Sequence, residues 1–226
     1  MRLIQKKEAP ESLLKYARNH NAYYDGYSKK DDVKKQLLEE QGHLCGYCMR
    51  RIKSEKDTKI EHMIPQSILK ENPRKALDYK IMVGVCYGNE NRIESGKKRR
   101  WNELTCDAHK GNQELKAANP FDPVCISKIK YRPDGEIYSE DSALNYDLNV
   151  VLNLNFDGDS VYLKKNRSEV LKACKEKMRR MKKEGQWSRS FLKRIIEEYE
   201  KPDEKGYLKP YSGIALWYLK KRVGEQ

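Results

Sequence analysis

The sequence predicts an α+β protein: a small cysteine-stapled centre with short strands, then a mainly helical C-terminal part. Three observations carry this. Cys45-Gly46-Tyr47-Cys48, Cys86 and Cys106 bracket a stretch with few large apolar residues. Within that stretch, the runs Ile60 to Ile64 and Ile81 to Cys86 (IMVGVC) have strand length. Beyond residue 160, apolar residues recur at helical spacing: Leu171, Cys174, Met178 and Met181, then Leu192, Ile195, Ile196 and Tyr199.

Composition narrows the class. The chain has 226 residues, 38% hydrophobic and 36% charged, with a formal net charge of +13. A balance this basic predicts a polyanionic partner, nucleic acid by default. With 15 Tyr against 3 Phe, many aromatic contacts keep a polar end. No apolar run has the ~18 residues of a membrane helix, and residues 1–7 lack a signal-peptide core. The expected compartment is the cytoplasm, where six cysteines read as metal ligands and buried thiols rather than disulfides.

In chain order, three segments are expected. Residues 1–44 form a helical lead-in: a short strand at 2–5, a helix from Glu11, and a second helix after Ser28, which starts Ser-x-x-Asp. Residues 45–118 form the core, with two short strands between Cys48 and Pro65, an apolar run at 81–86 that fits a buried strand or a buried helical turn, a polar loop to Arg100 and a helix over 105–115. Asn119 to Pro123 reads as a boundary. Residues 119–226 form a basic part: a hairpin around Pro133-Asp134-Gly135, an ambiguous stretch at 144–154, a helix capped by Ser168, and two more before and after Pro202.

The cysteines point to a structural zinc. In Cys45-x-x-Cys48 the gap lets both thiolates reach one ion, and Gly46 relieves the bend. Two completions are open: Cys86 with Cys106, or Cys106 with His109. Cys125 and Cys174 lack ligand spacing. A redox role for Cys45 and Cys48 would want a strand–motif–helix order, whereas here the motif follows a helix.

Glu61-His62 is the candidate chemistry. Phosphodiester hydrolysis needs an activated water and a Lewis acid on the leaving oxygen. A histidine with a pKa near 6.5 is largely neutral at pH 7 and able to take a proton. Glu61 and Asp107 offer the hard oxygens that Mg2+ prefers. On a regular strand Glu61 and His62 face opposite ways, so sharing a site requires the strand to end there, as Pro65 suggests. His109 and Lys110 follow Asp107 towards a phosphate, and Lys97, Lys98, Arg99 and Arg100 are the nearest basic run.

These stretches resemble the HNH nuclease family, whose core runs strand, His, strand, helix. They resemble above all its branch in Septu-type anti-phage defence, the PtuB family, also found with some retrons. The matching stretches are LLEEQGHLCGYCMRRI (37–52), KIEHMIPQS (59–67), LDYKIMVGVCYGN (77–89) and TCDAHKGN (105–112), with NVVLNLN (149–155) in the second half. The resemblance implies a zinc-stabilised ββα-metal (His-Me finger) core. His62 would be general base, Glu61 and Asp107 (with His109 as fallback) metal-side residues, and Mg2+ the catalytic ion. It implies a hetero-oligomer with a PtuA-type ATPase; the substrate is nucleic acid, with DNA expected before RNA and the choice between them left open. One position departs: where that family has its central Asn, this chain has Lys80 and Ile81, with Asn72, Asn89 or Asn91 as substitutes. The rival reading is therefore a decayed, zinc-stabilised subunit that binds nucleic acid or the ATPase without cutting.

Residues 161–226 hold 19 Lys or Arg against 9 Asp or Glu. This excess reads as a track for phosphate backbone, a surface for an acidic partner, or a solvated helix face whose charges, Arg167 among them, simply meet water.

Overall fold

In the computed structural model, residues 1–90, 100–158, 161–180 and 187–224 are described. Helices α1 (Glu11–Ala17) and α2 (Lys30–Glu40) lead into the cysteine turn. Strands β1 (Lys59–His62) and β2 (Met82–Val85) follow, with the short helix α3 (Gln66–Leu69) and two 3-10 turns between them. Helix α4 (Cys106–Lys110) closes the central unit. Then come α5 (Pro123–Ser127), the hairpin β3 (Lys130–Tyr131) with β4 (Ile137–Tyr138), and α6 (Ser142–Tyr146), which runs into a π-turn at Asp147–Val151. A small hairpin, β5 (Asp157–Gly158) with β6 (Val161–Tyr162), launches α7 (Leu163–Arg180); α8 (Arg189–Glu200) and α9 (Ser212–Val223) end the chain. The architecture is mixed: helices with small antiparallel hairpins. Among the described residues, no helix is long and apolar enough to cross a membrane.

The β1–β2 pair sets the geometry of the site. Its register places Glu61 opposite Val83 and His62 opposite Met82. Alternation sends Val83 and Val85 into the core that contains the cysteines, and Met82 into a second core with Leu13, Val33, Leu37 and Tyr79. A two-stranded sheet leaves backbone groups open at its edges. Here Gln41, buried at the end of α2, clasps Gly84: its amide donates to the Gly84 carbonyl (2.7 Å) and accepts from the Gly84 N–H (2.8 Å). A third core joins Cys174, Met178, Leu192, Ile195 and Ile196 to Ala215 and Leu219, tying α7, α8 and α9 together. Met1, Ile4, Tyr131, Leu152 and Ile214 share the core of the cysteines, so all three expected segments contribute to one interior.

Several local expectations are corrected. Residues 2–5 form no strand; the Ile4 N–H donates to the Pro120 carbonyl. Between Cys48 and Pro65 only β1 forms, plus a single bridge from Leu44 to Arg51. The helix expected over 105–115 stops at Lys110, because Gly111 turns left-handed (φ +53°). Lys29, not Ser28, precedes α2, with no side-chain cap. Ser168 caps nothing: α7 already starts at Leu163, where the Asp157 carboxylate accepts from the backbone N–H groups of Lys164 (2.7 Å) and Lys165 (3.0 Å). Ser168 instead lies buried and donates to the Pro133 carbonyl.

Candidate metal centre and its carboxylate neighbours

Three elements each bring one or two sulfurs to a point. Cys45 and Cys48 lie in the turn after α2, Cys86 directly follows β2, and Cys106 starts α4. All four are buried, with their sulfurs within 4.8 Å of one another. The contacts are 3.9 Å for Cys45–Cys106, 3.8 Å for Cys48–Cys86 and 3.9 Å for Cys86–Cys106. A tetrahedral ion with Zn–S bonds of about 2.3 Å needs sulfurs about 3.8 Å apart. The four-cysteine group therefore has the chemistry and the spacing to hold a metal such as zinc.

The backbone is bent to make this possible. Met49 (φ +62°) and Cys106 (φ +56°) both sit in the left-handed region. Gly88 (φ +55°) brings the turn after Cys86 so close to α4 that a Cβ there would lie 2.0 Å from the Thr105 carbonyl oxygen. That approach permits the Thr105 N–H to donate to the Gly88 carbonyl (2.9 Å), which fixes Cys86 beside Cys106. The sulfurs share charge unequally. Hydrogen bonds from Cys106, Cys45 and Cys86 pull the Cys48 thiol well below the ordinary range, while Cys86 and Cys106 are held well above it. Burial works against the Arg50 guanidinium, but Cys48 and Cys86 hold it charged.

Glu61 stands on the face of β1 that looks towards α4. The Lys110 ammonium is 2.8 Å from Glu61 Oε1, and the Tyr47 hydroxyl donates to the same oxygen at 3.3 Å. Lys59, two residues earlier on that face, pairs with Asp107 (3.0 Å) and Glu90 (2.9 Å). Burial, then Asp107 by charge and hydrogen bonding, pushes the Glu61 carboxyl up to about 8, against the pull of Lys110. Glu61 and Asp107 thus converge as a carboxylate pair, balanced by two lysines. Lys110 is 2% exposed, so its charge serves Glu61 and is not presented at the surface.

His62 looks the other way. Its Nε2 lies 2.9 Å from the Ala76 carbonyl, and its ring meets Tyr24 edge-on at 4.5 Å. A carbonyl only accepts, so Nε2 carries the hydrogen and Nδ1 keeps the lone pair. Burial lowers the His62 pKa below its ordinary value; the Ala76 bond and Asp25 oppose this, and Asp107 and Lys110 are close enough to act on it as well. The strand ends at His62, as Pro65 suggested.

His109 does not join the sulfurs. It is buried, donates Nδ1–H to the Val151 carbonyl (2.9 Å) and stacks on Trp101. Cys86 rather than His109 completes the cysteine group. Of the Asn substitutes, Asn89 donates to the Glu103 carbonyl, and Asn72 accepts from the Lys75 N–H in the turn leading to Ala76. Asn91 lies outside the described residues.

Searches against models of known families and against curated proteins each found no match.

Of the basic run, Lys97, Lys98 and Arg99 lie outside the described residues, and Arg100 is exposed at the start of the turn into Trp101. The basic track on α7 is largely internally paired. Lys164 meets Asp134, Lys172 meets Glu169, and Arg179 and Arg180 both meet Glu176. Lys177 meets Glu198, and Arg167 is buried. Sequence reading missed Tyr47, Lys59 and Gly88. Lys59 was discoverable, since period-two alternation puts it on the face of Glu61.

Proposed function

We propose that this chain is a metal-dependent endonuclease of the HNH type, hydrolysing phosphodiester bonds of nucleic acid. The observation that carries the reading is the tautomer of His62. The Ala76 carbonyl holds Nε2–H, so Nδ1 is left as a base at the end of β1, one residue on from Glu61 and within electrostatic reach of Asp107. The chain order strand, His, strand, helix, pinned by four cysteines, and the resemblance of residues 37–112 to the HNH family support it. So does the net charge of +13.

In this reading His62 Nδ1 takes the proton of the attacking water as oxygen bonds to phosphorus and the bond to the leaving oxygen breaks. Burial keeps the imidazole neutral and ready for that proton. Glu61 and Asp107 would hold a Mg2+ ion, which supplies charge stabilisation at the leaving oxygen. Lys59 and Lys110 pair with the two carboxylates. Zinc at the cysteines is structural. By the same resemblance the chain works within a complex with a PtuA-type ATPase in anti-phage defence; the composition puts that complex in the cytoplasm, with DNA the first substrate to test.

A second reading is favoured by Lys110, whose ammonium holds Glu61, and by the missing Asn at Lys80 and Ile81. It is a zinc-stabilised subunit that binds nucleic acid or the ATPase without cutting. Nicking of supercoiled plasmid separates the two. Wild type and His62→Ala are compared with Mg2+ added or omitted and zinc retained, alone and with the ATPase. Mg2+-dependent nicking by wild type that His62→Ala lacks establishes the nuclease. Equal behaviour of the two proteins in every arm overturns it.

A further inference from the structure

Trp101 is unusual among the aromatic side chains. It is 55% exposed, yet it is fixed in place. Its ring stacks on His109 with centroids 3.6 Å apart and planes 28° off parallel. Its indole N–H donates to the His109 carbonyl at 3.1 Å. His109 is itself locked by its bond to Val151. The backbone beneath is equally held: Asn153 donates to the carbonyls of Asn102 (3.2 Å) and Leu104 (2.9 Å), and the Arg100 N–H donates to Glu103 (2.9 Å). One π-face is thus covered by imidazole and the only polar group is satisfied. Leaving so much apolar ring in water costs free energy that burial would recover, and the surrounding bonds keep the ring from folding inward.

We infer that Trp101 is a stacking platform for an unpaired base of the nucleic acid, across α4 from the proposed cleavage centre. A rigid, half-covered indole offers a flat face that any base can stack on, independent of sequence. Arg100 adjoins it in the chain and brings positive charge for a neighbouring phosphate. Its position is set by α4. Asp107 and His109 are two residues apart on that short helix, so they project to nearly opposite sides. The platform therefore stands about one helix diameter, ~10 Å, from the Glu61–Asp107 pair. A strand with a phosphate at the carboxylates reaches the indole by passing around α4, a few nucleotides further along. A base inside a duplex has both faces covered by its neighbours, so the platform favours single-stranded or frayed substrate.

This inference rests on the nucleic-acid reading above, and the test separates the two. Full-length His62→Ala protein, zinc-loaded and without Mg2+, is titrated with labelled oligothymidylate of about 20 nucleotides, longer than a typical single-strand site. A duplex of the same length is titrated in parallel. Adding Trp101→Ala should weaken single-strand binding about 5- to 150-fold, the range of one stacked base, with little change for duplex. Trp101→Phe keeps a stacking face and should retain most of the affinity, which answers the objection that the alanine variant is misfolded. In the parent, bound oligonucleotide should quench indole fluorescence, and Trp101→Phe should abolish most of the quenching. Unchanged affinity and quenching in both variants overturn the inference while leaving plasmid cleavage, measured separately, to stand. Trp101-dependent binding without any cleavage keeps the platform and removes the nuclease. Unchanged oligonucleotide affinity with loss of self-association in Trp101→Ala overturns it too, assigning the face to a second copy of the chain.

Discussion

Glu61 and His62 are consecutive in β1 and serve different sides of it. Glu61 holds the Lys110 ammonium at 2.8 Å, facing α4, whereas His62 donates to the Ala76 carbonyl at 2.9 Å on the opposite face. The strand ends at His62, and Asp107 lies close enough to influence both side chains. The proposed site is therefore split across a strand terminus rather than gathered on one face of a sheet.

The first prediction concerns pH. Burial holds the His62 pKa below its ordinary 6.5. In the unfolded chain the ring takes up a proton near 6.5, and in the folded chain only at lower pH. Between those values the unfolded state binds more protons, so stability falls as pH drops through that window. His62→Gln keeps an N–H for Ala76 and cannot titrate. Thermal midpoints measured from pH 8 to 5 should fall more steeply for wild type than for His62→Gln. In the nuclease reading, the acid limb of the cleavage rate should likewise lie below 6.5; a limb above 7 would exclude His62 as the base.

Metal content gives the second. Zinc binding is worth ~10 kcal/mol or more in small zinc-finger peptides, as large as the net stability of a typical domain, about 5–15 kcal/mol. The Cys86 sulfur lies 3.8 Å from that of Cys48 and 3.9 Å from that of Cys106, whereas His109 is engaged with Val151. Native mass spectrometry should find one zinc per chain in wild type and in His109→Ala, and none in Cys86→Ser, which should also lose its cooperative unfolding transition. Retained zinc in Cys86→Ser would remove Cys86 from the ligand set.

How much of this was legible follows from the range of each interaction. The Cys45–Cys48 half of the cysteine group, β1, the body of α2 and α8 are written in local spacing and periodicity, and they are found where the sequence put them. The start of α7 was hidden because its cap is Asp157, on a hairpin of two-residue strands too short to leave a periodic signal. The end of α4 was marked by Gly111, but a helical reading through Gln113 and Leu115 passed over it. Ser168 and Arg167 looked like a cap and a solvated charge, since nothing local reveals that α7 turns both towards the β3–β4 hairpin. At the site, Cys86 was one of two completions; only long-range packing through Gly88 and Thr105 decides between it and His109.

Arg167 supplies the third prediction. It is buried, and its guanidinium donates to the carbonyls of Gly135 (2.6 Å) and Leu154 (2.9 Å) and to Asn155 Oδ1 (2.8 Å). Asn155 Oδ1 keeps the Ile137 N–H, but the two carbonyls lose their partner; each buried acceptor left unsatisfied costs ~1–3 kcal/mol, so Arg167→Met should lose about 2 kcal/mol or more by urea denaturation. Lysine lacks the planar fork and should not rescue it. Lys172→Ala, which removes an exposed pair with Glu169, should change stability by less than ~0.5 kcal/mol. Equal effects of the two substitutions would mean that the basic excess on α7 is all surface charge.

The last prediction returns to Glu61. The Lys110 ammonium lies 2.8 Å from one of the oxygens proposed to hold the catalytic ion, and it is buried, so it cannot swing into water without rearrangement. A positive charge there repels a divalent cation directly and competes for the same oxygen. Lys110→Met keeps the length and packing of the side chain and removes the charge. The half-saturating Mg2+ concentration for plasmid nicking should fall about tenfold, equivalent to ~1.4 kcal/mol. The cost appears in stability. Glu61 then faces Asp107 without its cation, and its carboxyl, already pushed up to about 8, is driven further towards the protonated form in the absence of metal. Mg2+ should therefore stabilise Lys110→Met against heat more than it stabilises wild type. If Lys110→Met needs more Mg2+ than wild type, Lys110 assists the ion, for instance by aligning Glu61, and the competition argument fails.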